Sequence, residues 1–173
     1  ELTRQTEGDL VLLGRDLELK SLVLNGQQLS QEQYVLDTEQ LVIRNAPNQI
    51  KLETSVIIHP ESNTQLEGLY QAASDLFVTQ NEPEGFRKIT FYPDRPDVLS
   101  VFTTRVEADK KYPVLLANGN LIEAGEAGEG RHYTIWQDPT KKPAYLFRNL
   151  CRRKRYSEMS YCNGSLKAFN ALG

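Results

Sequence analysis

Along most of this chain, apolar and polar residues alternate with a period of two, the pattern of strands that turn one face inward. Ile50, Leu52, Thr54, Val56 and Ile58 alternate strictly, predicting one half-buried strand that Pro60-Glu61-Ser62-Asn63 then breaks. Phe102, Thr104 and Val106 repeat the pattern through Phe102 to Ala108. Leu17, Leu19 and Leu22 to Leu24 form apolar runs ending at Asn25-Gly26, a dipeptide that tolerates positive φ and favours a tight hairpin. Leu41-Val42-Ile43 is another short β-rich run, closed by Asn45-Ala46-Pro47-Asn48. Val114 to Ala117 and Leu121 to Ala124 flank Asn118-Gly119-Asn120 and predict a second hairpin. Gly125 to Gly130 reads as a Gly/Glu loop, His132 to Gln137 as a strand carrying the only Trp, Trp136, and Pro143 to Phe147 as the start of another strand. No segment of this region sustains a 3.6-residue apolar period. Many short strands separated by turn residues predict an all-β fold, an antiparallel β-sandwich or a pair of saddle-shaped sheets.

The pattern changes after Phe147. Residues 148–173 hold six Lys/Arg (Arg148, Arg152, Arg153, Lys154, Arg155, Lys167) against Glu158 alone, a net of +5. The 14 Lys/Arg and 22 acids before them leave −8. Strand alternation stops here and helical periodicity is weak. The expectation is a β-rich domain over 1–147 and a divergent basic tail over 148–173, irregular or weakly helical.

Composition narrows the functional classes. At 173 residues the chain makes one domain with a sizeable core. A net charge of −3 gives no global attraction to nucleic acid or to an anionic membrane. No apolar run approaches the ~20 residues of a membrane span, and no basic start with an apolar stretch marks a signal peptide. These features predict a cytoplasmic protein with no nucleic-acid or membrane partner. The chain opens on Glu1 rather than Met, so the expectation is that residues upstream have been removed. Cys151 and Cys162 read as two free thiols, although ten intervening residues are compatible with a disulfide.

Candidate chemistry is sparse. His59 and His132 lie far apart in no ligand spacing, and read as strand-end or surface side chains rather than zinc ligands. Neither a nucleophile elbow nor a Cys/His arrangement stands out. Gly125, Gly128 and Gly130 alternate with acids that would repel phosphate. The basic run Arg152 to Arg155, with Tyr156 and Tyr161, could attract nucleic acid, but four charges without a scaffold more often form a solvated end. Asn163-Gly164-Ser165 matches a glycosylation acceptor by chance. That leaves Gln80, Glu82 and Glu84 between two apolar strands, next to the Pro-flanked corner Tyr92-Pro93-Asp94-Arg95-Pro96-Asp97. Loop acids are commonly only solvated. A sheltered carboxylate and amide can also recognise an ammonium through charge-assisted hydrogen bonds, each worth about 1.5–3 kcal/mol.

Three segments, Leu66-Glu67-Gly68-Leu69-Tyr70-Gln71, Thr79 to Arg87 and Asp94 to Leu99, closely resemble the bacterial aminopeptidase N family of zinc-dependent gluzincin exopeptidases. So do Leu115 to Asn120, Trp136 to Pro139 and Lys142 to Phe147, in order from about Leu17 to Phe147. The resemblance implies the N-terminal domain of such an enzyme, a β-rich saddle covering the active site of a following catalytic domain. It implies that Glu82 binds the free α-ammonium of a substrate peptide and that Gln80 lines the subsite for the first side chain. The family's G-A-M-E-N and H-E-x-x-H motifs do not occur in this chain. No catalytic residue, metal ligand or cofactor is therefore expected here; the resemblance puts zinc in the catalytic domain.

After Phe147 the family continues with small apolar residues, where this chain reads Arg148-Asn149-Leu150-Cys151-Arg152-Arg153. That switch raises the expectation of a shifted reading frame or a truncated or disordered end, and the family's first strands also look missing before Glu1. The resulting expectation is a fragment of a zinc aminopeptidase that removes N-terminal residues from peptides, inactive alone. It lacks its catalytic domain as a partner and is prone to self-association through the apolar face left bare. The alternative is a stand-alone β-sandwich module that binds peptides or protein termini without cleaving them.

Overall fold

The computed structural model describes residues 2–3 and 7–153, together with the backbone of Glu158–Cys162 and Ser165–Phe169. Its first part carries strands β1 (Leu2–Thr3), β2 (Gly8–Leu13), β3 (Glu18–Leu24), β4 (Gln27–Gln28), β5 (Tyr34–Leu36), β6 (Gln40–Ala46), β7 (Gln49–Ile50) and β8 (Leu52–Ile57). There follow β9 (Gly68–Ala73), β10 (Leu76–Gln80), β11 (Ser100–Asp109), β12 (Val114–Ala117), β13 (Asn120–Gly128), β14 (Arg131–Lys142) and β15 (Asn149–Arg152). A hairpin of β16 (Glu158–Cys162) and β17 (Ser165–Phe169) comes last. Every strand pairing among the described residues is antiparallel, and the helical segments are single 3-10 turns, so the fold is all-β.

Two three-stranded sheets, β2-β6-β5 and β4-β3-β8, enclose the larger core. Alternation does the sorting: Leu10 and Leu12 of β2, Leu41 and Ile43 of β6 and Leu22 of β3 all turn inward, with Phe91 closing one end. Leu12, Leu22, Leu41 and Ile43 are essentially inaccessible, each contributing about 1.5–3 kcal/mol by leaving water. Asn25 and Gly26 both take positive φ, 50° and 82°, and join β3 to β4 as the predicted hairpin. The alternation from Leu52 to Ile57 is realised as β8, while Ile50 belongs to the separate short strand β7.

The second half holds a four-stranded sheet, β12-β15-β10-β9, and a three-stranded sheet, β11-β14-β13. Val106, Leu115 and Ala117 form the buried centre between them, with Trp136 and Cys151 packed alongside. A third cluster, Phe86, Ala144 and Phe147, gathers Tyr92 and Phe102 around it.

Four local expectations are corrected. Asn118-Gly119-Asn120 does not close a hairpin, because β12 pairs with β15 while β13 pairs with β14. Gly119, at φ +90°, instead lets the chain cross between sheets within contact of the Gln137 backbone, where a Cβ would lie 2.2 Å from the carbonyl oxygen. Residues 125–128 continue β13, and the turn sits at Glu129 and Gly130, both at positive φ. Ala144–Leu146 is a 3-10 turn rather than a strand, its N-terminal side fixed by Pro143.

The fourth concerns the predicted irregular tail. Asn149–Arg152 forms an interior strand, hydrogen-bonded to β10 on one side and to β12 on the other. Backbone ladders are indifferent to side-chain charge, and β10 and β12 each present an unpaired edge that this segment satisfies. Beyond it, Glu158–Cys162 pairs with Ser165–Phe169 and is not helical. Lys154, Arg155, Tyr156 and the Asn163-Gly164 part of the glycosylation match lie outside the described residues. The Cys162 side chain does too, and Cys151 is a free thiol.

Candidate functional site

β10 delivers the site. Because side chains alternate along a strand and its continuation, Thr79 and Asn81 turn inward and are buried, whereas Gln80 and Glu82 stand on the accessible side. The buried pair anchors the stretch to the segment that follows Phe147. Thr79 Oγ1 accepts from the Asn149 backbone N–H at 2.8 Å, and the Asn81 Nδ2 amide donates to the Phe147 carbonyl at 2.7 Å. Asn81 Oδ1 is buried without a partner, so the amide is fixed from one end only.

The next five residues turn sharply. The Gly85 N–H closes the turn on the Asn81 carbonyl at 2.9 Å. A Cβ on Gly85 would lie 2.5 Å from the Gln80 carbonyl oxygen and 2.8 Å from Asn81 Cα, so only glycine permits the closure. Phe86 then plunges into the aromatic cluster, edge-on to Tyr92 at 5.0 Å and to Phe147 at 5.2 Å between centroids. Arg87 is held by the buried Asp94 carboxylate, which accepts from both its backbone N–H and its Nε at 3.1 Å. Gln80 and Glu82 are therefore carried on a loop pinned at Thr79, Asn81, Phe86 and Arg87.

The two side chains meet a single cation. Arg148 Nη1 donates to Gln80 Oε1, and Arg148 Nη2 donates to Glu82 Oε1 at 3.3 Å. Asn118 holds the arginine's backbone: its Oδ1 accepts from the Arg148 N–H, and its Nδ2 donates to the Leu146 carbonyl at 3.2 Å. A cleft of about 600 Å³ adjoins, bordered by Arg148, Asn118, Thr79 and the Asp138–Lys142 ion pair.

Of the residues singled out by sequence, Gln80 and Glu82 are brought together and the others are not. Glu84, mostly exposed, pairs with Arg87 at 3.3 Å. The Asp-Arg corner is divided: Asp94 braces the loop from inside, and Arg95 forms an exposed pair with Asp97 at 2.6 Å. His132 Nε2 meets the Tyr112 carbonyl at 2.8 Å, and His59 lines a separate cleft beside Lys88. Among the described residues no three His, Cys, Asp or Glu side chains converge on a metal-sized space. No helix among them is long and apolar enough to cross a membrane.

Arg148 and Asn118 are the members that sequence reasoning missed. Arg148 registers in the sequence as the first charge after Phe147, and Asn118 as a turn residue within a segment of the family resemblance, neither as a site residue; the contacts that unite them with the site span 28 to 68 positions.

Comparison with known proteins gives the family and the fold. Residues 3–146 match the Peptidase M1 N-terminal domain. Aminopeptidase N of Caulobacter vibrioides is 49% identical over 138 residues, and aminopeptidase N of Escherichia coli 48% identical over 143. These alignments cover 80% and 82% of this chain but 16% of each relative, so the chain spans about a sixth of the curated relatives it matches. Among solved structures, Legionella pneumophila aminopeptidase A, in complex with aspartic acid, superposes with a TM-score of 0.82 at 37% identity, covering 88% of this chain and 18% of that one. The M1 zinc metallopeptidase of Deinococcus radiodurans, bound to Tyr-Ser-Ala, shares the fold at TM-score 0.74 and 18% identity, over 96% of this chain and 40% of that one. The collinear motifs, the all-β architecture and a family match over most of the length agree: this chain belongs to the peptidase M1 N-terminal domain family.

Proposed function

We propose that this domain supplies the amine-recognising wall of a metallo-aminopeptidase site. Glu82 accepts hydrogen bonds from the free α-ammonium of a peptide, and Gln80 lines the space for the first side chain. One observation carries the reading: Gln80 Oε1 and Glu82 Oε1 already converge on one cationic group, the Arg148 guanidinium. Two acceptors on a braced loop that coordinate one cation have the spacing and rigidity to coordinate another. The relatives are named as aminopeptidases, and the L. pneumophila enzyme holds aspartic acid, a ligand with a free α-ammonium.

A fixed amine clamp determines how far into a peptide the scissile bond lies, and such positioning is a large part of catalysis. Bond cleavage itself calls for a nucleophile and a general base, and no motif for either occurs in this chain, so the domain alone hydrolyses nothing in this reading. The test joins the chain to an M1 catalytic domain and compares Glu82→Gln with the parent on an alanyl anilide. Loss of the charge-assisted contact is expected to lower kcat/KM by about 10- to 150-fold, at 1.5–3 kcal/mol per contact. Unchanged kcat/KM, with circular dichroism showing an intact fold, removes Glu82 from amine recognition.

A further inference from the structure

The stretch Thr79 to Glu82 grips the segment around Arg148 twice, in alternation. Thr79 and Asn81 hold its backbone, at the Asn149 N–H and the Phe147 carbonyl. Gln80 and Glu82 hold its head group. Asn118 adds two more backbone contacts, at the Leu146 carbonyl and the Arg148 N–H. With the main chain fixed on both sides, only the Arg148 side-chain torsions remain to be ordered when the guanidinium reaches the clamp. Its seating is thus an intramolecular event on a preorganised frame.

We propose that Arg148 is a built-in competitor for the Gln80–Glu82 clamp: a free amine must displace its guanidinium before it binds. The inference rests on the amine-clamp reading above and adds that the clamp is self-occupied. Charge supports competition over joint occupancy. Among the described residues Glu82 is the one carboxylate bonded to Arg148, and a second cation beside the guanidinium would meet like-charge repulsion with a single negative charge to share. The contact is also weak enough to yield, since both partners are nearly half exposed, at 45% and 48%. Displacement costs the guanidinium little, because water and the adjoining cleft accept it.

The experiment is a proton–nitrogen NMR titration of the full chain with L-alaninamide, following the Gln80 side-chain amide and the Arg148 Nε–H. Wild type, Arg148→Ala, Glu82→Gln and the double variant are compared. Arg148→Ala is expected to bind alaninamide about three- to tenfold more tightly than wild type, the range set by one half-exposed ion pair and one further hydrogen bond. Glu82→Gln should abolish that gain. In wild type, alaninamide should move the Arg148 Nε–H signal towards that of a free guanidinium. Equal affinity of wild type and Arg148→Ala, with Glu82→Gln weakening both, overturns the competitor role and leaves the clamp standing. An Arg148 signal that stays fixed in wild type while the Gln80 amide shifts overturns it in the same way, without needing any variant to fold. Alaninamide that perturbs Gln80 in no chain removes the clamp and the competitor together.

Discussion

At the scale of single residues, the interior of this domain is controlled by a few groups whose neighbours leave them little choice. Arg87 and Asp94 are charges taken out of water, and they persist because the carboxylate accepts from the arginine backbone as well as its side chain. Cys151 shows the opposite treatment of an ionisable group. Its neighbours, the buried Val106, Leu115 and Ala117, offer no partner for a thiolate, and burial pushes the thiol up to about 11. A raised pKa means that the folded state keeps its proton where the unfolded chain begins to lose it. This contribution to stability is therefore full below the ordinary thiol value of 9.0 and disappears as pH rises through about 11. Reactivity follows the thiolate. In a Cys162→Ser background at pH 8, iodoacetamide is expected to modify Cys151 about a hundredfold more slowly in the folded chain than in urea, from the ratio of thiolate fractions. Equal rates in the two states would show that this thiol is not desolvated.

At the scale of elements, the turn Asn81–Gly85 converts a strand into a site, and its weakest point is Gly85. The nearest atoms to an added Cβ are backbone, which cannot rotate away, so Gly85→Ala is expected to cost about 2–4 kcal/mol in urea unfolding and to displace Glu82 from Arg148. A loss under 0.5 kcal/mol would mean that the turn relaxes freely. Elements of this kind were legible in the sequence where a local rule sufficed. Asn25-Gly26 announced its hairpin, and alternation announced β8 and β11, because φ preference and a two-residue period act within a few positions. Asn118-Gly119 has the same turn chemistry and was misread. Whether flanking strands pair with each other is decided by competing partners, here β15, far along the chain, for β12, and the next strand, β14, for β13. The same distinction runs through the site. Gln80 and Glu82 are separated by one residue and so must share a side of the chain, which the sequence reveals. Arg148 reaches them across 66 and 68 positions, and nothing local encodes that.

At the scale of the whole molecule, the charge pattern and the architecture pull in different directions. The sequence divides at Phe147 into an acidic and a basic part, yet the fold crosses that division, because β15 lies inside the sheet between β12 and β10. Its composition is poor for an interior strand: Asn149 Oδ1 is buried without a partner, and Arg152 sits in register with Leu76 and Val114. Backbone pairing on both edges offsets this, joined by the packing of Cys151 against the Val106–Leu115–Ala117 cluster. The sheet is thus tied together by four residues whose side chains contribute little. Ending the chain at Phe147 should therefore split the second half of the domain and spare the first. β10 would keep β9, and β12 would lose its one strand partner among the described residues. The sandwich around Leu12, Leu22 and Leu41 makes no use of β15. Hydrogen exchange read by mass spectrometry should show amides of Val114–Ala117 and Leu76–Gln80 exchanging early in the shortened chain, while those of β2, β3 and β6 keep their protection. Uniform loss of protection would show that the two halves fold as one cooperative unit. Unchanged protection at Val114–Ala117 would show that β12 is held by packing on β11 and β14, and that β15 is dispensable to the fold it completes.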